Sequence, residues 1–234
     1  MKNLKVLVVI PTYNEEKIIK NVIREIKTIF ENPSIIVIDA YSTDNTVKIL
    51  KDEKIKTIFI DKYYGISLAI EASFDEAISL DCDFLVRIDG DGQHPANDVK
   101  KNLEFAFQNN VDLMIGSRFL NKSDYETNNI RMSGIKLLQF ILKIFYKIEI
   151  LDCTSGCQIF SKKLIQKFIE DDNFEYSEIG AICKTKKLDF IIKEKSINMK
   201  PRITGNSTFN FVVSIKYMIK NVLSVITSAS FNLK

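Results

Sequence analysis

Two carboxylates stand two residues apart in "RIDGDGQHP", Arg87 to Pro95: they are Asp89 and Asp91. In an extended chain, residues i and i+2 point the same way. Paired carboxylates repel, so they want a cation between or beside them. Hard oxygen donors of this kind suit Mg2+ or Mn2+, more so when a diphosphate supplies further oxygens. The same residues also read as a solvated acidic turn, with Pro95 opening the next helix. An EF-hand loop matches poorly, because Gln93 and His94 interrupt it and Lys100 replaces its closing Glu.

Two other segments carry polar groups where apolar runs end. In "PTYNEE", Thr12 and Glu15 have capping-box spacing before an amphipathic pattern, which accounts for both structurally. The same strand-to-helix turn can also cradle a nucleotide. In "IDAYSTDNT", Ser42, Thr43 or Asp44 can cap the following helix. Asp39 comes too early for that. A carboxylate at a strand tip can accept hydrogen bonds from a ribose or a base.

These tips need elements to position them. Short β-branched runs read as strands at Lys5 to Ile10, Ser34 to Asp39, "KTIFI", Phe84 to Asp89 and Val111 to Ser117. Helical spacing lies between them: Ile18 to Phe30, Asp44 to Leu50, Ser67 to Leu80, and a segment after Pro95. Apolar strands alternating with helices predict a parallel sheet covered on both faces. Ligands then bind beyond the carboxyl ends of the strands. That edge holds Pro11 to Glu15, Asp39 to Asp44 and Asp89 to Gln93. The second half reads as a long helix from Ile135 to Leu151, the turn "DCTSGC", helical patterns, a β-like Asp189 to Met199, and an apolar C-terminal helix.

Composition narrows the class. The chain has 234 residues, 46% hydrophobic and 27% charged, enough to bury a full core, so disorder is excluded. Its formal charge of +3 is too small to argue for nucleic acid, and no nucleic-acid partner is expected. Eight Gly and four Pro fit poorly with an all-β chain of tight turns. Cys82, Cys153, Cys157 and Cys183 form no C-x-x-C pair and His94 is the only histidine, which argues against zinc and against a disulfide framework. The N-terminus reads as a first strand rather than a signal peptide, and no apolar stretch is long enough to span a bilayer. The expected location is the cytoplasm, in solution or on the cytoplasmic face of a membrane.

Six segments occur in one order: "PTYNE", "DAYSTDNT", "DGDGQHP", "DLMIGSRF", "DCTSGCQIFSKKLI" and "KPRITGNST". In that order they resemble family 2 glycosyltransferases, and within them the dolichol-phosphate mannose synthase type, which includes bacterial polyprenyl-phosphate glycosyltransferases. The resemblance covers about residues 4 to 210. It implies a GT-A fold, a single Rossmann-like α/β unit with a mostly parallel central sheet flanked by helices. That domain would occupy residues 1–210, with a C-terminal amphipathic helix over 211–234. The implied activity is metal-dependent inverting transfer from a nucleotide-sugar of the GDP-mannose or UDP-glucose type.

Residue by residue, the resemblance assigns Pro11, Tyr13 and Glu15 to the first nucleotide-binding loop and Asp39 to the nucleoside. Asp89, Asp91 and Gln93 match the diphosphate site and its Mg2+ or Mn2+. Arg118, Arg131 and Ser133 match positions that grip an acceptor phosphate, and Arg202 a basic residue that closes over the phosphates. Asp91, Arg118 and Arg202 are the implied catalytic positions. Two departures touch donor binding. The family usually has Asp and Gly after Asp39, where this chain has Ala40 and Tyr41, and a Gly-Lys-Gly-like stretch where this chain reads "GISLA", keeping Gly65.

Charge decides between acceptors. A polyprenyl phosphate is already an anion and needs cations to hold it rather than a strong base. A glycan hydroxyl needs a carboxylate base within hydrogen-bond reach. In the second half, Glu170 and Asp171 form the only Glu-Asp pair, inside a charged run expected to be solvated, and Glu178 is a weaker candidate. That favours the lipid phosphate over the glycan hydroxyl; a nucleotide-sugar-binding module without turnover is the third reading. The broad apolar face and lysine row of Ile135 to Leu151 suit either a membrane surface or a core or dimer helix.

Overall fold

The computed structural model describes residues 4–60, 65–121, 129–171 and 176–201. These form seven strands in one sheet: β1 (Val6–Thr12), β2 (Ser34–Asp39), β3 (Lys56–Phe59), β4 (Phe84–Arg87), β5 (Leu113–Ser117), β6 (Gln158–Ser161) and β7 (Ile192–Ser196). The order is β3-β2-β1-β4-β6-β5-β7. The helices are α1 (Ile19–Ile29), α2 (Thr46–Asp52), α3 (Gly65–Ser79), α4 (Ala96–Gln108), α5 (Asn129–Tyr146), α6 (Lys162–Ile169) and α7 (Glu178–Lys187).

The alternation of strand side chains builds two cores. Leu7 and Val9 of β1 face one layer, with Ile70 and Phe74 of α3, Leu138 and Leu142 of α5, Phe168 of α6 and Ile182 of α7. Val8 and Ile10 face the other, with Ile19, Val22, Ile23 and Ile26 of α1, Leu50 of α2, and Val99 and Leu103 of α4. β1, β4, β5 and β6 are buried on both faces, as near-continuous apolar strands require.

β3, β2, β1 and β4 are parallel neighbours, as expected. β6 was not anticipated. It enters the middle of the sheet antiparallel to both β4 and β5. An antiparallel strand starts where parallel ones end. The turn before it therefore lies at the same edge as the tips of β1, β2 and β4.

Several element boundaries moved, and the long helix expected from Ile135 begins at Asn129. The expected capping box of Thr12 and Glu15 does not form. β1 continues to Thr12, whose register partner is Asp39, and α1 begins only at Ile19 with Ile18 as its N-cap. The long helix ends at Tyr146 rather than Leu151, because Lys147 turns left-handed at φ 54° and the Ile148 N–H reaches back to Leu142 O. Among the described residues no helix is long and apolar enough to cross a membrane. Residues 211–234, expected to form the C-terminal helix, lie outside the described residues.

Candidate active site

The β1–α1 and β2–α2 loops are laced together at the sheet edge. The Asn14 N–H donates to Ser42 Oγ (2.9 Å), the Thr43 N–H to Asn14 Oδ1 (2.7 Å) and the Glu15 N–H to Thr46 Oγ1 (2.9 Å). Glu16 N–H and Thr46 N–H both donate to Asp44, which stands one residue before Asn45, the N-cap of α2, so none of the expected caps Ser42, Thr43 or Asp44 takes that position. Asn14 and Tyr41 take positive φ, 54° and 64°. Tyr41 thus holds, with a side chain, a left-handed backbone shape that favours Gly. Tyr13 and Tyr41 are exposed on these two loops.

Asp39 lies beneath them, 1% exposed. Its Oδ2 accepts from the Ser42 N–H at 3.0 Å. Its Oδ1, like Thr12 Oγ1, is buried without a hydrogen-bond partner among the described residues. Buried oxygens are rarely left so unless a ligand or water completes them.

The acidic turn packs against the tip of β1 through Gly90 N–H to Pro11 O (3.0 Å). Only Gly fits at that contact: a Cβ on Gly90 would meet Thr12 Oγ1 at 2.9 Å. Asp89 N–H donates to His94 Nδ1 (3.2 Å), and Gln93 N–H to Asp91 Oδ1 (3.1 Å). His94 is buried, and burial pushes its imidazole below the usual value against the pull of Asp89 and Asp91. Gln93 is pinned from outside the turn. Its Nε2 donates to Lys200 O (3.1 Å), and the Lys200 N–H donates to Gln93 O (2.8 Å). The chain leaving β7 is therefore anchored on the acidic turn.

Four residues that the sequence did not assign complete the floor. Arg87, last in β4 and buried, pairs with Glu178 Oε1 at 2.9 Å and lies 3.6 Å from Asp89 Oδ1. Gly156 packs against the Asp89 carboxylate so closely that a Cβ there would stand 2.3 Å from Oδ2. Asp152, fully buried, binds the Arg118 guanidinium through both oxygens. Glu194 accepts from the Leu151 and Asp152 N–H groups, both at 2.7 Å. One signal did exist for Arg87: it is the single charge inside an apolar run, and a buried charge implies a partner. Asp152 and Glu194 carry no local signal.

The expected site residues divide accordingly. Pro11, Tyr13, Glu15, Asp39, Asp89, Asp91 and Gln93 share the edge formed by β2, β1 and β4. Arg118 is on the same side of the sheet, 6% exposed, held by Asp152 and by Thr154 Oγ1 (2.9 Å). Ser133 is exposed on α5. Arg131 belongs to the first turn of α5. Its side chain, and all of Arg202, lie outside the described residues. Glu170 and Asp171, both exposed, pair with Lys167 (2.6 Å) and with the largely buried Lys184 (2.8 Å).

Asp89 and Asp91 offer two hard carboxylates on one turn. Among the described residues, no group of three or more His, Cys, Asp or Glu converges to cage a metal by itself. The donor set therefore fits an Mg2+- or Mn2+-like ion that takes its other oxygens from a bound diphosphate.

A family model described as glycosyl transferase family 2 matches residues 7–169. The UDP-N-acetylglucosamine–dolichyl-phosphate N-acetylglucosaminyltransferase of Methanococcus voltae is 28% identical over 214 residues, 81% of this chain and 84% of that one. The dolichol-phosphate mannosyltransferase of Pyrococcus furiosus is 34% identical over 123 residues, 50% of this chain and 34% of that one. The crystal structure of glucosyl-3-phosphoglycerate synthase from Mycobacterium tuberculosis with Mn2+, UDP-glucose and phosphoglyceric acid superposes at a TM-score of 0.69. It is 17% identical and covers 97% of this chain and 80% of that one, a likeness of GT-A fold.

Proposed function

The chain belongs to glycosyl transferase family 2, and we propose that it transfers a sugar from a nucleotide-sugar to a polyprenyl phosphate by inverting displacement, with a divalent cation at Asp89 and Asp91. One observation carries the donor half. Asp39 and the Asp89–Asp91 turn share one edge of three adjacent parallel strands, and Asp39 Oδ1 and Thr12 Oγ1 are buried there without partners among the described residues. A nucleoside has the N–H and O–H groups that such oxygens need. Donors of the GDP-mannose or UDP-glucose type both fit this reading.

Asp89 and Asp91, with Gln93 beside them, would hold Mg2+ or Mn2+. When bound, the ion neutralises the charge that develops on the departing nucleoside diphosphate. Pro11, Tyr13 and Glu15 shape the loop that receives the nucleoside. The acceptor attacks the anomeric carbon from the opposite face. Arg118, Arg131, Ser133 and Arg202 hold its phosphate, and Asp152 orients Arg118 for that task.

Three observations favour a phosphate acceptor. Glu170 and Asp171, both exposed, are tied to lysines. Relatives in the family are named for dolichyl-phosphate substrates. α5 exposes Leu137, Phe140, Ile144 and Phe145 beside the exposed Lys136, Lys143 and Lys147. A stripe of that composition suits peripheral attachment to an anionic cytoplasmic leaflet. One observation favours the second reading, a glycan hydroxyl acceptor: Glu178 reaches the site, one guanidinium away from Asp89.

The deciding assay uses purified protein, Mn2+ or Mg2+, a panel of nucleotide-sugars, and a polyprenyl phosphate or a glycan. Sugar extracted into the organic phase supports the proposal. Transfer only to the glycan overturns it for the second reading.

A further inference from the structure

Arg87 is a buried cation for which the proposed reaction has no step. Its guanidinium lies between two carboxylates. Nη1 is 2.9 Å from Glu178 Oε1 in the first turn of α7, and Nη2 is 3.6 Å from Asp89 Oδ1. The shorter distance is a charge-assisted hydrogen bond, and the longer one is a looser ion pair. Tyr176 reinforces the asymmetry. Its hydroxyl accepts from Arg87 Nη1 at 3.3 Å and its ring centre lies 5.6 Å from the guanidinium carbon. The Tyr176 hydroxyl donates to Gln158 Oε1 (2.9 Å), and Gln158 Nε2 donates to Glu178 O (3.1 Å), so strand and helix are joined around the pair.

An arginine stays charged even when buried, and a buried charge needs a counter-ion. Without Glu178, Asp89, which already pairs loosely with the guanidinium at 3.6 Å, would be drawn into a closer pair. An Asp89 hydrogen-bonded to a guanidinium at close range is a poorer ligand for a divalent cation than one paired loosely, because both compete for the same oxygens and the same charge. We infer that Glu178 is a positioning residue for the donor site: by holding Arg87 as its own partner, it keeps Asp89 turned to the cleft as a ligand for the divalent cation. The Asp89 side chain is 39% exposed while that of Arg87 is 5% exposed, so the two share a border yet face different surroundings. The inference rests on the metal-dependent reading above, and Glu178 acts through Arg87 rather than on the substrate.

Direct binding of Mn2+ tests it, followed by the spin-resonance signal of unbound ion, with Mn2+ alone and again with UDP or GDP. Glu178→Gln keeps the shape and removes the charge. Its Mn2+ dissociation constant should rise roughly tenfold. Adding Arg87→Met removes the competing cation, and affinity should return to within about threefold of the wild type. A merely structural role gives the opposite order, since a second core substitution leaves binding as weak or weaker. Circular dichroism and thermal melts check that each variant is folded, and Arg87→Gln gives the same comparison with a polar side chain. Unchanged Mn2+ affinity in Glu178→Gln, or no recovery in the double variant, overturns the inference and leaves the reaction assignment standing. A wild type that binds no Mn2+ under any of these conditions overturns both.

Discussion

Arg118 donates from Nε and Nη2 to the two oxygens of Asp152, at 2.7 and 2.6 Å, and its own backbone N–H reaches Asp152 Oδ2 at 3.0 Å. The pair ties the end of β5 to the turn that precedes β6. Arg118 is thus a rigid part of the site wall.

Removing Asp152 leaves a guanidinium buried without its partner. Asp152→Ala should destabilise the fold by about 3–5 kcal/mol. Urea unfolding monitored by circular dichroism reads this directly, and a loss under about 1 kcal/mol would show that the pair contributes little.

Asp91 is partly exposed, and its Oδ1 accepts from the N–H of Gln93. Asp91→Asn keeps an oxygen for that contact and removes the charge. Sugar transfer should fall at least about a hundredfold. Stability should stay within about 0.5 kcal/mol of the wild type. Retained activity would remove Asp91 from the metal site.

Gly156 and Gly116 separate packing from function. A Cβ on Gly156 would stand 2.3 Å from Asp89 Oδ2, whereas one on Gly116 would stand 2.7 Å from Cys157 Sγ. Both Ala variants should lose about 1–3 kcal/mol. Only Gly156→Ala should also raise the Mn2+ concentration needed for half-maximal transfer, because only it displaces a proposed ligand. Equal effects of the two on the Mn2+ requirement would refute that distinction.

Glu194 sets a pH dependence. Burial raises its carboxyl above the ordinary 4.5, against hydrogen bonds from the Leu151 and Asp152 N–H groups that favour ionisation. The folded state then binds a proton at higher pH than the unfolded chain. Stability from this group therefore increases as pH falls from the raised folded value toward 4.5, and is lost as pH rises through that window. Glu194→Gln should flatten this part of the stability curve, read from urea midpoints at a series of pH values. An unaltered slope would show that Glu194 does not titrate in that window.

The α5 stripe predicts vesicle binding. The protein should co-sediment with vesicles containing anionic phospholipid, more weakly at high salt because Lys136, Lys143 and Lys147 contribute. The triple variant Phe140→Ser, Ile144→Ser, Phe145→Ser should lose most of that binding while its melting temperature holds, since these side chains are 61, 55 and 51% exposed. Binding that survives the triple variant would place the membrane contact elsewhere.

The acid tips and the five strands β1 to β5 were legible from residue types alone. Each strand is a short apolar run, and the carboxylates stand where those runs stop. Burial on both faces writes itself into such segments as local hydrophobicity. β6 was not legible: "QIFS" is four residues long and follows directly on a turn. Nothing in so short a run marks it as a strand between β4 and β5, or as antiparallel. The caps were misread because Thr12 satisfies a local rule that a longer β1 overrides, through pairing with Asp39.

The sequence by itself determined which residues could do the chemistry, and through their order along the chain it determined the family. The tertiary structure decided which charges meet. Arg118 finds Asp152 across 34 positions, Arg87 finds Glu178 between a strand and a distant helix, and Gln93 meets Lys200 across 107. Periodicity records how a side chain relates to its own element. A buried ion pair depends on where two elements come to rest, which is set by the packing of both cores at once.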